Sequence, residues 1–336
     1  TPVSFANVAI ARFAVHDEEA PGYPTVRTRL LERNMGADFA QESRRLIRFY
    51  QGYLPSYPWP EHEVFQGPGA IDGWVWVASH EMTNVMKTRT SNSRAAMALA
   101  RGDHTASRVF AHEMAHQWWG HLVRPAHRVD FWIAETFAEE FACMYMDAAF
   151  QACGAQMERK RAAWEEREEL HIPRASLTDA YSSRHQPEIV YMYGPYVFHH
   201  MLRSRLGDRA YHAALDLMIV DHAHSAITTE RLLHYFDLAT EDDLTAFFDF
   251  WVYGGFVPER VALSHGWADG QLTLEIASDV PFGTFDVSVE IDGVLHRVDV
   301  VDGAGALTLP MDAPPHAVFL DPYRQTLIET RATISR

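Results

Sequence analysis

The segment His112-Glu113-Met114-Ala115-His116, with Glu135 19 residues beyond it, constrains this chain more than any other feature. On a helix the two histidines stand one turn apart on one face, so both imidazoles can grip one metal ion while Glu113 projects beside them toward a bound water. A catalytic zinc needs three protein ligands and an open position, and Glu135 is the natural third ligand. Its spacing lets the chain leave one helix, turn, and bring a second helix back antiparallel beside the first. The expected site is one Zn2+ ion on His112, His116 and Glu135, with Glu113 next to it.

At 336 residues and 47% hydrophobic composition the chain can bury a sizeable core, and its length favours one large domain with a smaller one. A formal charge of -16 and the lack of any basic tract disfavour adhesion to nucleic acid or anionic membrane. The apolar runs are too short and interrupted to span a bilayer, and Thr1 to Asn7 do not resemble a signal peptide. A protein soluble in this form is expected, in either a cytoplasmic or an extracytoplasmic compartment. Since no initiator Met is present, a processed or incomplete piece of a longer chain is expected. Two cysteines cannot make a disulfide framework, and Cys143 and Cys153 read as ordinary buried thiols.

The pattern predicts short N-terminal strands broken by the acidic turn Asp17-Glu18-Glu19, then a helix over Ala37 to Tyr50. A Gly-rich loop from Gly67 leads into a strand at Trp74 to Val77. A helix from about Thr105 carries the zinc motif, and Phe131 to Phe150 forms the second, its Phe137, Phe141, Met144 and Tyr145 stripe packing in the core. Met157 to Leu170 reads as a charged helix. Helical spacing continues through Tyr191 to Leu206, Arg209 to Asp221 and Thr229 to Tyr235. Beyond Pro258 the period changes to two, with Asp292-Gly293 as a hairpin turn, predicting a small antiparallel β-sandwich over 259-336.

Zinc polarises a carbonyl and lowers the pKa of bound water, while Glu113 can accept the water's proton and pass it to the leaving nitrogen. Peptide hydrolysis fits these parts. The oxyanion of the tetrahedral intermediate needs a further hydrogen-bond donor, for which Tyr191, Tyr193 and Tyr196 are all available. Asp130 and Glu139 could support the histidines, or serve as a helix cap and a core-edge carboxylate. His121 and His127 are not needed as ligands.

His112-Glu-Met-Ala-His-Gln-Trp-Trp-Gly and Trp132-Ile-Ala-Glu-Thr-Phe-Ala resemble the zinc helix and third-ligand segment of the aminopeptidase N family, gluzincins with a thermolysin-like catalytic domain. Ala134 stands where the family commonly has Asn. Tyr191-Met-Tyr-Gly194 is similar to the family's Tyr-x-x-Gly segment, and the resemblance selects Tyr191 as the transition-state donor. It implies an α+β fold: a thermolysin-like domain over 1-258, with a mixed sheet and a mostly helical second lobe, followed by the β-sandwich. It also implies a peptide or protein substrate and an N-terminal β-domain for which this chain has no room, whether cleaved off, present as a partner chain or never there. The family's Gly-x-Met-Glu-Asn signature, whose Glu holds the substrate's amino group, is matched by Gly69-Ala-Ile-Asp-Gly73, offering Asp72, with Glu81 as a rival anchor. Aminopeptidase action is thus the first expectation. An open-cleft zinc endopeptidase or oligopeptidase is the alternative, and a noncatalytic peptide-binding module is the reading from another class.

Overall fold

The computed structural model describes residues 12-30, 36-67, 77-78, 83-87, 104-151, 176-183, 186-255, 257-258, 260-328 and 330-335. Asp72, Glu81 and the expected charged helix over Met157 to Leu170 lie outside the described residues, as does all of the expected Trp74 strand but its last residue, Val77. Helices and sheets alternate in a mixed α+β architecture with two compact units, one of Thr1–Gln156 with His212–Thr228, the other of Met157–Tyr211 with Thr229–Arg336.

In the first unit, β1 (Ala14–Glu18), β2 (Thr25–Leu30), β3 (Glu61–Gly67), β4 (Val77–Ala78) and β5 (Thr83–Lys87) form one sheet in the order β1-β2-β3-β5-β4. The β2-β3 and β3-β5 pairs are parallel; the pairs at both edges are antiparallel. Strand β2 alternates, burying Val26, Thr28 and Leu30 while Arg27 and Arg29 reach Glu61 (2.5 Å) and Glu63 (2.8 Å) on the other face. The acidic turn expected at Asp17 to Glu19 is instead strand through Glu18, and the chain turns at Ala20 to Tyr23. Its charges are matched across the sheet, Asp17 by Arg29 and Glu18 by Arg44 of the following helix, so no break is required.

That helix, α1 (Gly36–Tyr50), turns Phe39, Ala40, Ser43, Leu46, Ile47 and Tyr50 inward at intervals of three and four residues. It packs against the sheet and against α2 (His104–Ala115) and α3 (Trp132–Phe150). Tyr50 joins all three helices: its ring meets Phe141 edge-on, and its hydroxyl donates to the Ala111 carbonyl at 2.7 Å. Phe137, Phe141, Met144 and Tyr145 are buried as expected. Cys143 departs from expectation, being disulfide-bonded rather than a thiol; Cys153 is the only other cysteine in the chain.

In the second unit a helical run from Gln186 to Leu206 widens into π turns over Ile189–Tyr193 and Tyr196–Leu202. Pro195 stands between them and has no N–H to continue an α-helical ladder. Helix α4 (Asp208–His222), whose residues from His212 belong to the first unit, and α5 (Thr229–Asp237) follow; in the first unit β6 (Val123–Pro125) pairs in parallel with β7 (Ser225–Ile227).

Strands β8 (Arg260–Ala268), β9 (Gln271–Ser278), β10 (Thr284–Ile291), β11 (Val294–Val301), β12 (Ala304–Pro310), β13 (Val318–Leu320) and β14 (Thr330–Ser335) complete the unit. Their order is β13-β10-β11-β12-β9-β8-β14. The Asp292-Gly293 hairpin holds both residues at positive φ (47° and 84°), as a two-residue turn between twisted strands requires. Strands β11 and β12 pair only at Val301 and Ala304, so the strands part there into a group of three and a group of four.

Candidate active site

Helix α2 carries His112 and Glu113 in its last turn, and His116 follows with its N–H still bonded to the His112 carbonyl at 3.3 Å. Its Phe110, Ala111, Met114 and Ala115 are buried, and α3 is buried along most of its length. Since His112 faces Glu135 while the earlier Arg108 faces the later Glu139, the two helices run antiparallel, as the motif spacing predicts.

Three ligating atoms converge between them. His112 Nε2 and His116 Nε2 are 3.2 Å apart, and Glu135 Oε2 lies 3.4 Å from the first and 3.6 Å from the second. A tetrahedral zinc with bonds of about 2.0–2.1 Å sets its ligand atoms roughly 3.3 Å apart. The donors therefore have both the chemistry and the spacing to hold such an ion, and among the described residues they form the one cluster that does.

The far side of each imidazole is also engaged. His116 Nδ1 lies 2.9 Å from the Trp119 carbonyl, and His112 Nδ1 lies 3.1 Å from Glu139 Oε2. Carbonyl and carboxylate oxygens accept, so both Nδ1 atoms donate, and Nε2 is in each ring the atom that would turn its lone pair to a metal ion. Glu139, which the sequence leaves between two roles, is thus the partner of His112. Asp130 takes the capping role, accepting the His127 N–H at 3.1 Å at the entry to α3.

Electrostatics inside the cluster favour added positive charge. Burial works against a charged His112, yet hydrogen bonds to Glu135 and Glu139 outweigh it and raise its pKa to about 10. Burial likewise opposes ionisation of Glu135, but His116 and His112 hold its carboxyl well below the usual range. For Glu113 burial prevails over the two histidines, pushing it up to about 7. A carboxylate buried beside a site suited to a cation is placed to act as a proton acceptor.

Local sequence explains the turn after the motif. Gly120 adopts φ of +100°, and a Cβ there would meet the Ala134 Cβ at 3.2 Å and His116 Nδ1 at 3.7 Å. Trp119 stacks on Phe137 at 4.7 Å, tying the carbonyl that holds His116 to the helix that bears Glu135. The sequence alone does not single out Arg108, one turn before His112; its Nη1 donates to Glu139 Oε1 at 2.5 Å. The available signal is its i, i+4 spacing to His112.

Tyr191 belongs to the second unit and is half-buried. Its rivals are buried and tied to main-chain carbonyls, Tyr193 donating to Trp251 at 2.6 Å and Tyr196 to Arg324 at 2.7 Å.

Residues 40–251 match the peptidase family M1 domain. Aminopeptidase N of Lactococcus lactis subsp. cremoris (strain MG1363) is 28% identical over 222 residues, 62% of this chain and 25% of that protein. Human endoplasmic reticulum aminopeptidase 2 is 28% identical over 124 residues (35% of this chain, 12% of that protein), and mouse aminopeptidase N 34% over 94 (27% and 9%). The chain thus spans a quarter or less of the length of these relatives. With more than half of its residues inside the family domain, the chain belongs to peptidase family M1, the family of the aminopeptidases N that its zinc-helix motif resembles.

Proposed function

We propose that the protein is a zinc-dependent aminopeptidase that removes N-terminal residues from peptides. The observation that carries this reading is the convergence of His112 Nε2, His116 Nε2 and Glu135 Oε2 at the spacing of a tetrahedral zinc, with Glu113 buried beside them. His112, His116 and Glu135 hold the ion. When bound, zinc supplies Lewis acidity toward the scissile carbonyl and toward water. Glu113 takes the proton of the attacking water and delivers it to the departing amine. Tyr191 donates to the developing oxyanion, a part that its place in the Tyr191-Met-Tyr-Gly194 segment supports.

Release of N-terminal residues, rather than internal cleavage, rests on the names of the relatives and on an anchor for the substrate's ammonium, Asp72 or Glu81. A thermolysin-like domain over 1-258 and a β-sandwich over 259-336 belong to the same reading; the parting of β11 from β12 supports the second. No helix among the described residues is long and apolar enough to cross a membrane.

The test compares peptides with free and N-acetylated termini on the zinc-loaded protein, with a chelator control. Hydrolysis of the free peptide, loss of it on chelation and poor cleavage of the blocked peptide are expected. Equal cleavage of both would make the protein an endopeptidase.

A further inference from the structure

We propose that Arg108 is a positioning residue for the zinc site: it orients the Glu139 carboxylate that fixes His112 with Nε2 toward the metal. This rests on the zinc reading above.

The geometry is a chain of three groups across the two helices. Arg108 Nη1 meets Glu139 Oε1 at 2.5 Å, and Glu139 Oε2 meets His112 Nδ1 at 3.1 Å. Both oxygens of one carboxylate are therefore used, one by the guanidinium and one by the imidazole. Any rotation of that carboxylate away from His112 also breaks its bond to Arg108. Glu139 is almost wholly buried, its side chain 2% exposed, whereas Arg108 is 34% exposed and reaches inward from the surface.

A buried carboxylate is costly unless it is paired and hydrogen-bonded, and an arginine pair adds direction because its donors lie in a rigid plane. Arg108 and His112 are four residues apart on α2, so one face of that helix presents both donors. Helix α3 supplies the acceptor one turn beyond Glu135, the third ligand. Arg108 thereby ties the spacing of the helices to the direction of a ligand. Partners of this kind outside the ligand set fix the tautomer and ring orientation of the histidine.

The test is the zinc dissociation constant, measured by chelator competition on wild type, Arg108→Gln, Arg108→Lys, Glu139→Gln and the Arg108→Gln/Glu139→Gln double variant. Unfolding midpoints of the metal-free proteins are recorded alongside. Glu139→Gln is expected to weaken zinc about 10- to 100-fold, and Arg108→Gln about 10-fold. Arg108→Lys should recover much of the loss, because it keeps the charge. The double variant should bind no worse than Glu139→Gln, since Arg108 acts through that carboxylate.

Arg108→Gln binding zinc as wild type does would overturn the proposal, and so would additive losses in the double variant. If Arg108→Gln does not fold, Arg108→Lys decides: the proposal requires it to bind zinc more tightly than Glu139→Gln. A wild type that takes up no zinc would remove the zinc reading itself. One zinc per chain in wild type, with an unaffected Arg108→Gln, would remove this proposal alone.

Discussion

His112 and His116 are easy to find in the sequence, yet what makes them a site is the opposite edge of each ring. Two Nδ1 atoms held by Glu139 and by the Trp119 carbonyl leave two Nε2 atoms 3.2 Å apart, with Glu135 Oε2 completing the triangle. The proposed ligands were legible because an i, i+4 pair with a distant Glu is a constrained pattern. Arg108 was not, because an arginine in a chain with 45 acidic residues has many candidate partners and only the packing chooses among them. At this scale the proposed oxyanion donor is also testable. Tyr191→Phe is expected to lower kcat about 10²-fold or more with little change in KM. Steady-state kinetics on a short peptide checks it, and an unchanged kcat would return Tyr191 to a packing role.

The helices and hairpins could be read for physical reasons that differ from one element to the next. The period of α1 appears in Phe39, Ala40, Ser43, Leu46, Ile47 and Tyr50, and the Asp292-Gly293 turn follows from the positive φ it needs. The strand through Asp17 and Glu18 was hidden, since its charges are answered by arginines far along the chain. So were the π turns, which flank Pro195 and bury Tyr193, Tyr196 and Phe198. At the junction between α2 and α3, Gly120 permits a conformation that a side chain would strain. Gly120→Ala is expected to destabilise the fold by ~1–3 kcal/mol, because the left-handed backbone and the 3.2 Å approach to Ala134 both resist a methyl group. Thermal or urea unfolding measures it; a stability equal to wild type would mean the turn relaxes freely.

For the molecule as a whole, length pointed to one large domain with a smaller one, the family resemblance implied the α+β fold, and the change of period after Pro258 marked where strands take over. The parting of β11 from β12 was beyond reach, since it depends on which strands pair, not on how each alternates. Nor could the sequence show that a neutral histidine is buried against Tyr57. His62 is fully buried, with Nδ1 2.9 Å from the Tyr57 hydroxyl, whose proton goes to Gln117 Oε1 at 3.2 Å. Burial lowers its pKa to about 3. The unfolded chain takes up a proton at this residue near pH 6.5, and the folded chain does not. This histidine therefore leaves stability intact above that pH and erodes it as pH falls from about 6.5 toward 3, by about 1.4 kcal/mol per unit. Relative to wild type, His62→Leu is expected to show a shallower decline in unfolding free energy between pH 6 and pH 4, and parallel profiles would contradict it.

The proposed role of Glu113, base at a zinc site formed by His112, His116 and Glu135, is decided by the peptide turnover of a Glu113→Gln protein whose zinc content is measured in the same sample. One zinc per chain with turnover reduced about 10²- to 10⁴-fold is expected, because the ligands remain and the proton acceptor is gone. Wild-type turnover in the zinc-loaded Glu113→Gln protein would contradict it.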